Sequence, residues 1–221
     1  MNVKTITKRV VDLCMVVVLL FLMAWALIGE AAHEVLGCAM FALMLIHVTL
    51  NWSWYRNLRK GSWPVWRILQ TAVDFLVLAS MLICMASGIL LSRHVFAPLG
   101  ITGNIAIARL MHLLASYWGF CLMSVLLGMH WNVITFMIRD RRIQFVMNAV
   151  GICAAAYGLI AFISRGIGGY LLFLTQFVFF DFEEPLTVFL ADYAAIMVLC
   201  VCIGALLSKM FLRASKKKEV R

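Results

Sequence analysis

Charge is scarce in this chain: only 13% of its 221 residues are Asp, Glu, Lys or Arg. Soluble domains carry about 25%, and no water-soluble fold of this length hides a chain that is 65% hydrophobic. Proline is also rare, with three residues, so little interrupts long helices. The seven cysteines include no CxxC pair and no metal-finger spacing, which removes a disulfide scaffold and a zinc module. Cys14, Cys38, Cys84, Cys121 and Cys153 sit inside apolar runs, as small packing residues do.

What is abundant is apolar sequence in lengths that cross a bilayer, about 17–25 residues each. Six helices are expected, at about 10–29, 33–55, 68–92, 105–138, 144–164 and 186–209. They form one all-α integral membrane domain over 1–221. Residues 10–138 make a four-helix core from two repeated hairpins. Residues 139–221 add two helices, an outer interfacial segment and a basic tail. The first thirty residues imitate a secretory signal, but the apolar stretch is long for one and further spans follow, so an uncleaved first helix is expected.

The net charge of +9 does not point to nucleic acid. The basic residues fall in groups between apolar runs: Lys4, Lys8 and Arg9; Arg56, Arg59, Lys60 and Arg67; Arg139, Arg141 and Arg142; and Lys209 to Arg221. The alternate gaps hold only Arg93, Arg109 and Arg165. Positive charge stays on the cytoplasmic side of short loops, so both termini are expected inside. Trp52, Trp54, Tyr55, Trp63 and Trp66 form an interfacial belt near the first inner loop.

An internal repeat organises the first half. Phe41-Ala42-Leu43-Met44 recurs as Phe120-Cys121-Leu122-Met123, and the same shift places His33 on His112, Asn51 on His130 and Trp52 on Trp131. A second register places Asp12 on Asp74 and Met23-Ala24 on Met85-Ala86. His33 and His112 both open inward-running helices, so they sit at matching depth. Ionisable groups within membrane helices default to a functional reading, and two imidazoles from facing helices supply both axial ligands of one haem iron.

His47 shares a helix face with His33, roughly 21 Å further along the axis, where a second haem would stack. Its repeat partner is Leu126, which cannot bind iron. His130, one turn further inward, either ligates or hydrogen-bonds a propionate, and the equivalence with Asn51 leans to the latter. The inner site is therefore expected empty or five-coordinate on His47. Arg109 and Arg93 are candidates for the propionates of an outer haem, with interfacial anchoring the competing role. Asp12 and Asp74 either relay protons to a quinone or pair with basic neighbours. His94, in the outer loop, is expected to meet only headgroups.

His33-Glu34-x-x-Gly37, Ile46-His47-Val48-Thr49-Leu50-Asn51-Trp52-Ser53-Trp54, Ser87-Gly88 and Leu91-Ser92-Arg93 resemble the flavinylation-associated cytochrome family. So do His112-x-x-Ala115-Ser116-Tyr117-Trp118-Gly119, Gly128-Met129-His130-Trp131 and the run from Phe177 to Pro185. The resemblance covers nearly the whole chain. It implies a small haem b protein of a prokaryotic cytoplasmic membrane, with a core similar to the cytochrome b subunits of formate dehydrogenases and hydrogenases. It also implies a link to extracytosolic flavin electron transfer, and the leading reading passes electrons from a cytoplasmic or quinone-pool donor to an outer flavoprotein or reductase. The family's segment His-x-Gly-x-His-Trp reads Leu126-Leu127-Gly128-Met129-His130-Trp131 here, so the departure again falls on the second haem.

Two other functions remain open on the sequence. Met40, Met44 and His47 lie at helical spacing, as soft ligands of a copper-like transporter would. A membrane anchor or assembly subunit that has lost haem is the other.

Overall fold

The computed structural model describes residues 3–131 and 140–219, with side chains to residue 212. The regular secondary structure among the described residues is helical, with no strand. The helices are α1 (Val3–Met23), α2 (Trp25–Ile28), α3 (Glu30–Leu50), α4 (Trp52–Asn57), α5 (Val65–Leu91), α6 (Ile105–Met129), α7 (Arg141–Ser164), α8 (Ile167–Leu171) and α9 (Leu186–Glu219). The last part of the expected fourth helix, 132–138, lies outside the described residues, as does Arg139.

Five of these helices are long and apolar enough to cross a membrane: Glu30–Leu50, Val65–Leu91, Ile105–Met129, Arg141–Ser164 and Leu186–Leu212. Their mean hydropathy runs from 1.7 to 2.4, so the chain is a multi-pass, all-helical protein in contact with lipid. The sixth expected span differs. Helix α1 carries Lys4, Lys8, Arg9 and Asp12, and its uncharged part begins only at Leu13, which by itself is short of the roughly 20 apolar residues a span needs.

The expected boundaries shift where local chemistry intervenes. The 10–29 helix breaks at Ala24 and ends at Gly29, whose φ of +87° is open to a residue without Cβ. The 33–55 helix breaks at Asn51, whose N–H closes on the His47 and Thr49 carbonyls. Asp140 caps α7 by accepting from the Arg142 N–H at 2.7 Å. Helix α9 continues well past 209, because a charged helix leaving a bilayer meets no penalty from water.

The chain forms two compact units. The first contains Met1–Ser62, Met81–His112 and Val178–Leu190. Within it α1 packs antiparallel on α3, as the Lys8–Asn51 and Asp12–His47 pairs at one end require. Met40 and Met44 are 5% and 4% exposed, so both side chains are buried in this hairpin. Phe180 stacks on Phe189 and meets Trp25 edge-on, tying part of the segment after Arg165 to the unit.

The second unit contains Trp63–Ser80, Leu113–Phe177 and Ala191–Arg221. It is held by small residues. A Cβ on Gly128 would collide with the Val201 carbonyl, one on Gly204 with the Val125 carbonyl, and one on Gly158 with the Ala195 carbonyl. These glycines let α6 and α7 approach α9 backbone to backbone, the packing that apolar solvent leaves available to helices.

Candidate functional site

In the first unit the rings of His33 and His112 meet edge-on, with centroids 6.1 Å apart and planes at 72°. Helix α3 begins at Glu30, immediately after the Gly29 turn, so His33 lies in its first turn. His112 comes from α6. Its Nδ1 is 3.1 Å from the Cys84 carbonyl and 3.0 Å from the Ser87 hydroxyl, both on α5. The Ser87 hydroxyl donates its own hydrogen to the Ile83 carbonyl at 2.6 Å. The proton between these groups therefore belongs to His112 Nδ1, and the lone pair of that ring lies on Nε2.

His33 presents the complementary feature. Its Nδ1 is buried and has no hydrogen-bond partner among the described residues, while the ring's other polar neighbour is the Leu22 carbonyl. A buried lone pair without a partner costs about 1–3 kcal/mol. A metal–imidazole bond is about 2 Å and a ring nitrogen lies about 1 Å from its centroid, so imidazoles on opposite sides of one ion stand about 6 Å apart, centre to centre. The observed spacing and the orphaned nitrogen fit an iron held between two histidines. Among the described residues no three His, Cys, Asp or Glu side chains are grouped to hold a metal ion. A two-imidazole site suits a group that brings its own equatorial nitrogens.

The arginines and acids nearby sort themselves. Arg109, three residues before His112, is exposed. Arg93 reaches Glu30 at 3.3 Å, so it is engaged by a carboxylate of this chain. His94 is exposed, and its N–H turns to Glu34 at 3.2 Å. Glu34 also accepts from the Ser92 hydroxyl at 2.6 Å and from the Arg93 and Val95 N–H groups at 2.7 Å each.

The other end of α3 is built differently. His47 Nδ1 donates to Asp12 at 2.7 Å, and its Nε2 has the Asn51 amide at 3.4 Å. Asn51 accepts from Lys8 at 2.8 Å. Asp12 thus pairs with a histidine, and the two are about half and a third exposed, at 50% and 38%. His130, in the second unit, donates from Nδ1 to the Leu126 carbonyl at 2.9 Å and accepts at Nε2 from Gln70 at 2.8 Å. Both ring nitrogens of His47 and of His130 are therefore occupied by protein groups.

One polar cluster escaped the sequence reading. In the second unit Arg165 clasps Asp192 through Nε at 2.9 Å and a terminal nitrogen at 2.7 Å, and Tyr157 donates to the other carboxylate oxygen. Tyr117 stacks on Tyr170 with centroids 4.3 Å apart, and its hydroxyl lies 3.3 Å from that of Tyr193. The available signal was Asp192 itself, a carboxylate inside an apolar span, which calls for a named partner. The matching charge is Arg165, at the C-cap of α7.

No family model matches the chain, and no curated protein or solved structure is detectably similar to it.

Proposed function

We propose that this chain is a b-type haem protein of the membrane that passes electrons across it, and that His33 and His112 are the residues that would hold the iron of a single haem. The observation that carries the reading is the pair of imidazoles 6.1 Å apart with one buried nitrogen lacking a protein partner. Haem supplies a one-electron ferric–ferrous couple when bound. The protein's own part is to bind and orient. His33 and His112 contribute nitrogen lone pairs. The Cys84 carbonyl and Ser87 hydroxyl keep the His112 proton on Nδ1, which fixes the ring and raises the basicity of Nε2. Arg109 lies on the same helix three residues before His112 and is the guanidinium best suited to the propionates.

A second low-spin haem is not part of this reading. His47 is held by Asp12 and Asn51, and His130 by Leu126 and Gln70, while Leu126 occupies the position where the resembling family has histidine. In the proposed topology α1 and α2 together form a sixth span. Lys8 and Asp12 then lie at its cytoplasmic end, satisfied by Asn51 and His47, and both termini face the cytoplasm of a prokaryotic cell. The distribution of basic residues supports that orientation. The resemblance to flavinylation-associated cytochromes supports an extracytosolic flavoprotein or reductase as acceptor, with a cytoplasmic or quinone-pool donor.

The test is His112→Ala in purified protein. The expected result is loss of the dithionite-reducible haem absorption, because one axial ligand is gone. Unchanged haem content and an unchanged low-spin spectrum would refute the assignment.

A further inference from the structure

Both ligand candidates are tied to α5 and the turn that follows it, His112 through its ring and His33 through the neighbouring Glu34. Glu34 follows His33 in α3. Its carboxylate takes hydrogen bonds from the Ser92 hydroxyl and from the N–H groups of Arg93, His94 and Val95, the turn that ends α5. Ser92 is itself fixed, because its oxygen accepts the Phe96 N–H at 2.8 Å. One turn earlier on the same face of α3, Glu30 holds the Arg93 guanidinium. Helix α5 in turn carries Cys84 and Ser87, which hold the His112 ring. The rotation of α3 at His33 and the frame that orients His112 are therefore joined through one carboxylate.

We infer that Glu34 is a positioning residue of the His33–His112 pair: it sets the distance between the two imidazoles by clasping the end of α5 onto the first turn of α3. Its hydrogen bonds go to the Ser92–Val95 turn, so it acts on the pair through α3 and α5. A carboxylate is the group required, since it is acceptor-only and faces three N–H donors and one hydroxyl. A glutamine of the same shape turns its amide hydrogens toward those donors, and the clasp opens. Residues that orient a ligand in this way change affinity about 10–100-fold when altered.

This inference rests on the pair being a ligand pair, so its test uses two probes. The first is haem content with the low-spin ferric signal of the purified protein. The second is Cu(II) alone, added to haem-free protein in detergent and followed by its own spectrum. Imidazoles suit Cu(II), and the share of binding lost in His33→Ala marks the site. In Glu34→Gln the expected results are a shifted low-spin signal and a His33-dependent Cu(II) affinity weakened about tenfold or more. Glu34→Asp keeps the carboxylate and recovers part of both. Ser92→Ala, a milder change, moves them in the same direction as Glu34→Gln. A signal and Cu(II) affinity in Glu34→Gln equal to those of the unaltered protein would overturn the positioning role. Protein without haem but with His33-dependent Cu(II) binding that Glu34→Gln weakens would sink the haem reading and keep the positioning role. Protein that binds neither contradicts both.

Discussion

The two ends of α3 carry one histidine each, and they solve opposite problems. At the His47 end the ring is saturated: Asp12 takes the Nδ1 proton, Asn51 addresses Nε2, and the group is partly open to its surroundings. At the His33 end the ring is left with a buried, unpartnered nitrogen, while a second imidazole faces it at 6.1 Å. Burial without a partner is the costly arrangement, and that cost is what supports the proposed ligand role of His33. The difference teaches that a histidine within a membrane helix is not a ligand by virtue of its depth. What its two nitrogens already touch decides the matter.

The largest expected contrast comes from removing the histidines. His33→Ala eliminates the low-spin haem signal entirely, while His47→Ala leaves it in place. Haem per chain by pyridine haemochrome checks both, and loss of signal in His47→Ala would break the contrast between the two ends. Next in size is Ser87→Ala, which removes one of two acceptors on His112 Nδ1. It is expected to weaken haem retention about tenfold, read by transfer of haem to an apo-acceptor. Equal retention in Ser87→Ala and the unaltered protein would show that the Cys84 carbonyl alone orients the ring.

Smaller effects are expected at the saturated end. Asp12→Asn breaks a half-exposed pair, so it lowers stability by about 1 kcal/mol or less. A thermal-unfolding shift of a few degrees with an untouched haem spectrum is the predicted outcome. The smallest effect is Gly88→Ala. A Cβ there stands 3.6 Å from His112 Cε1, an ordinary contact. A slight displacement of the absorption maximum without loss of cofactor is expected, and cofactor loss would mean that the space beside His112 is tighter than this contact implies.

Much of the architecture was readable from residue order. Five apolar runs became five helices of spanning length, because an apolar run of that length with few charges has few alternatives. The repeat aligns His33 with His112, and the two rings do meet, although His112 lies about two turns into α6 rather than at its start. Asn51 was placed beneath His47 by the same repeat, and there it meets the ring.

What escaped was long-range or local to single residues. Glu34 looks like an ordinary first-turn acid, and its partners are nearly sixty residues away. The Arg165–Asp192 clasp joins charges 27 apart across a loop, and periodicity does not bring such groups together. The breaks at Ala24 and Asn51 interrupt sequence that is apolar or aromatic on both sides, so hydropathy carries no trace of them. Helix α9 ran past its expected end because hydropathy marks where a bilayer stops, not where hydrogen bonding does.

The central claim is that one haem sits between His33 and His112 and that no second low-spin haem exists. The most direct measurement is electron paramagnetic resonance of the oxidised, purified protein with spins counted per chain. The account predicts one low-spin ferric haem per chain, with the g-values of two imidazole ligands. Two low-spin haems per chain, a purely high-spin signal, or protein without haem would contradict it.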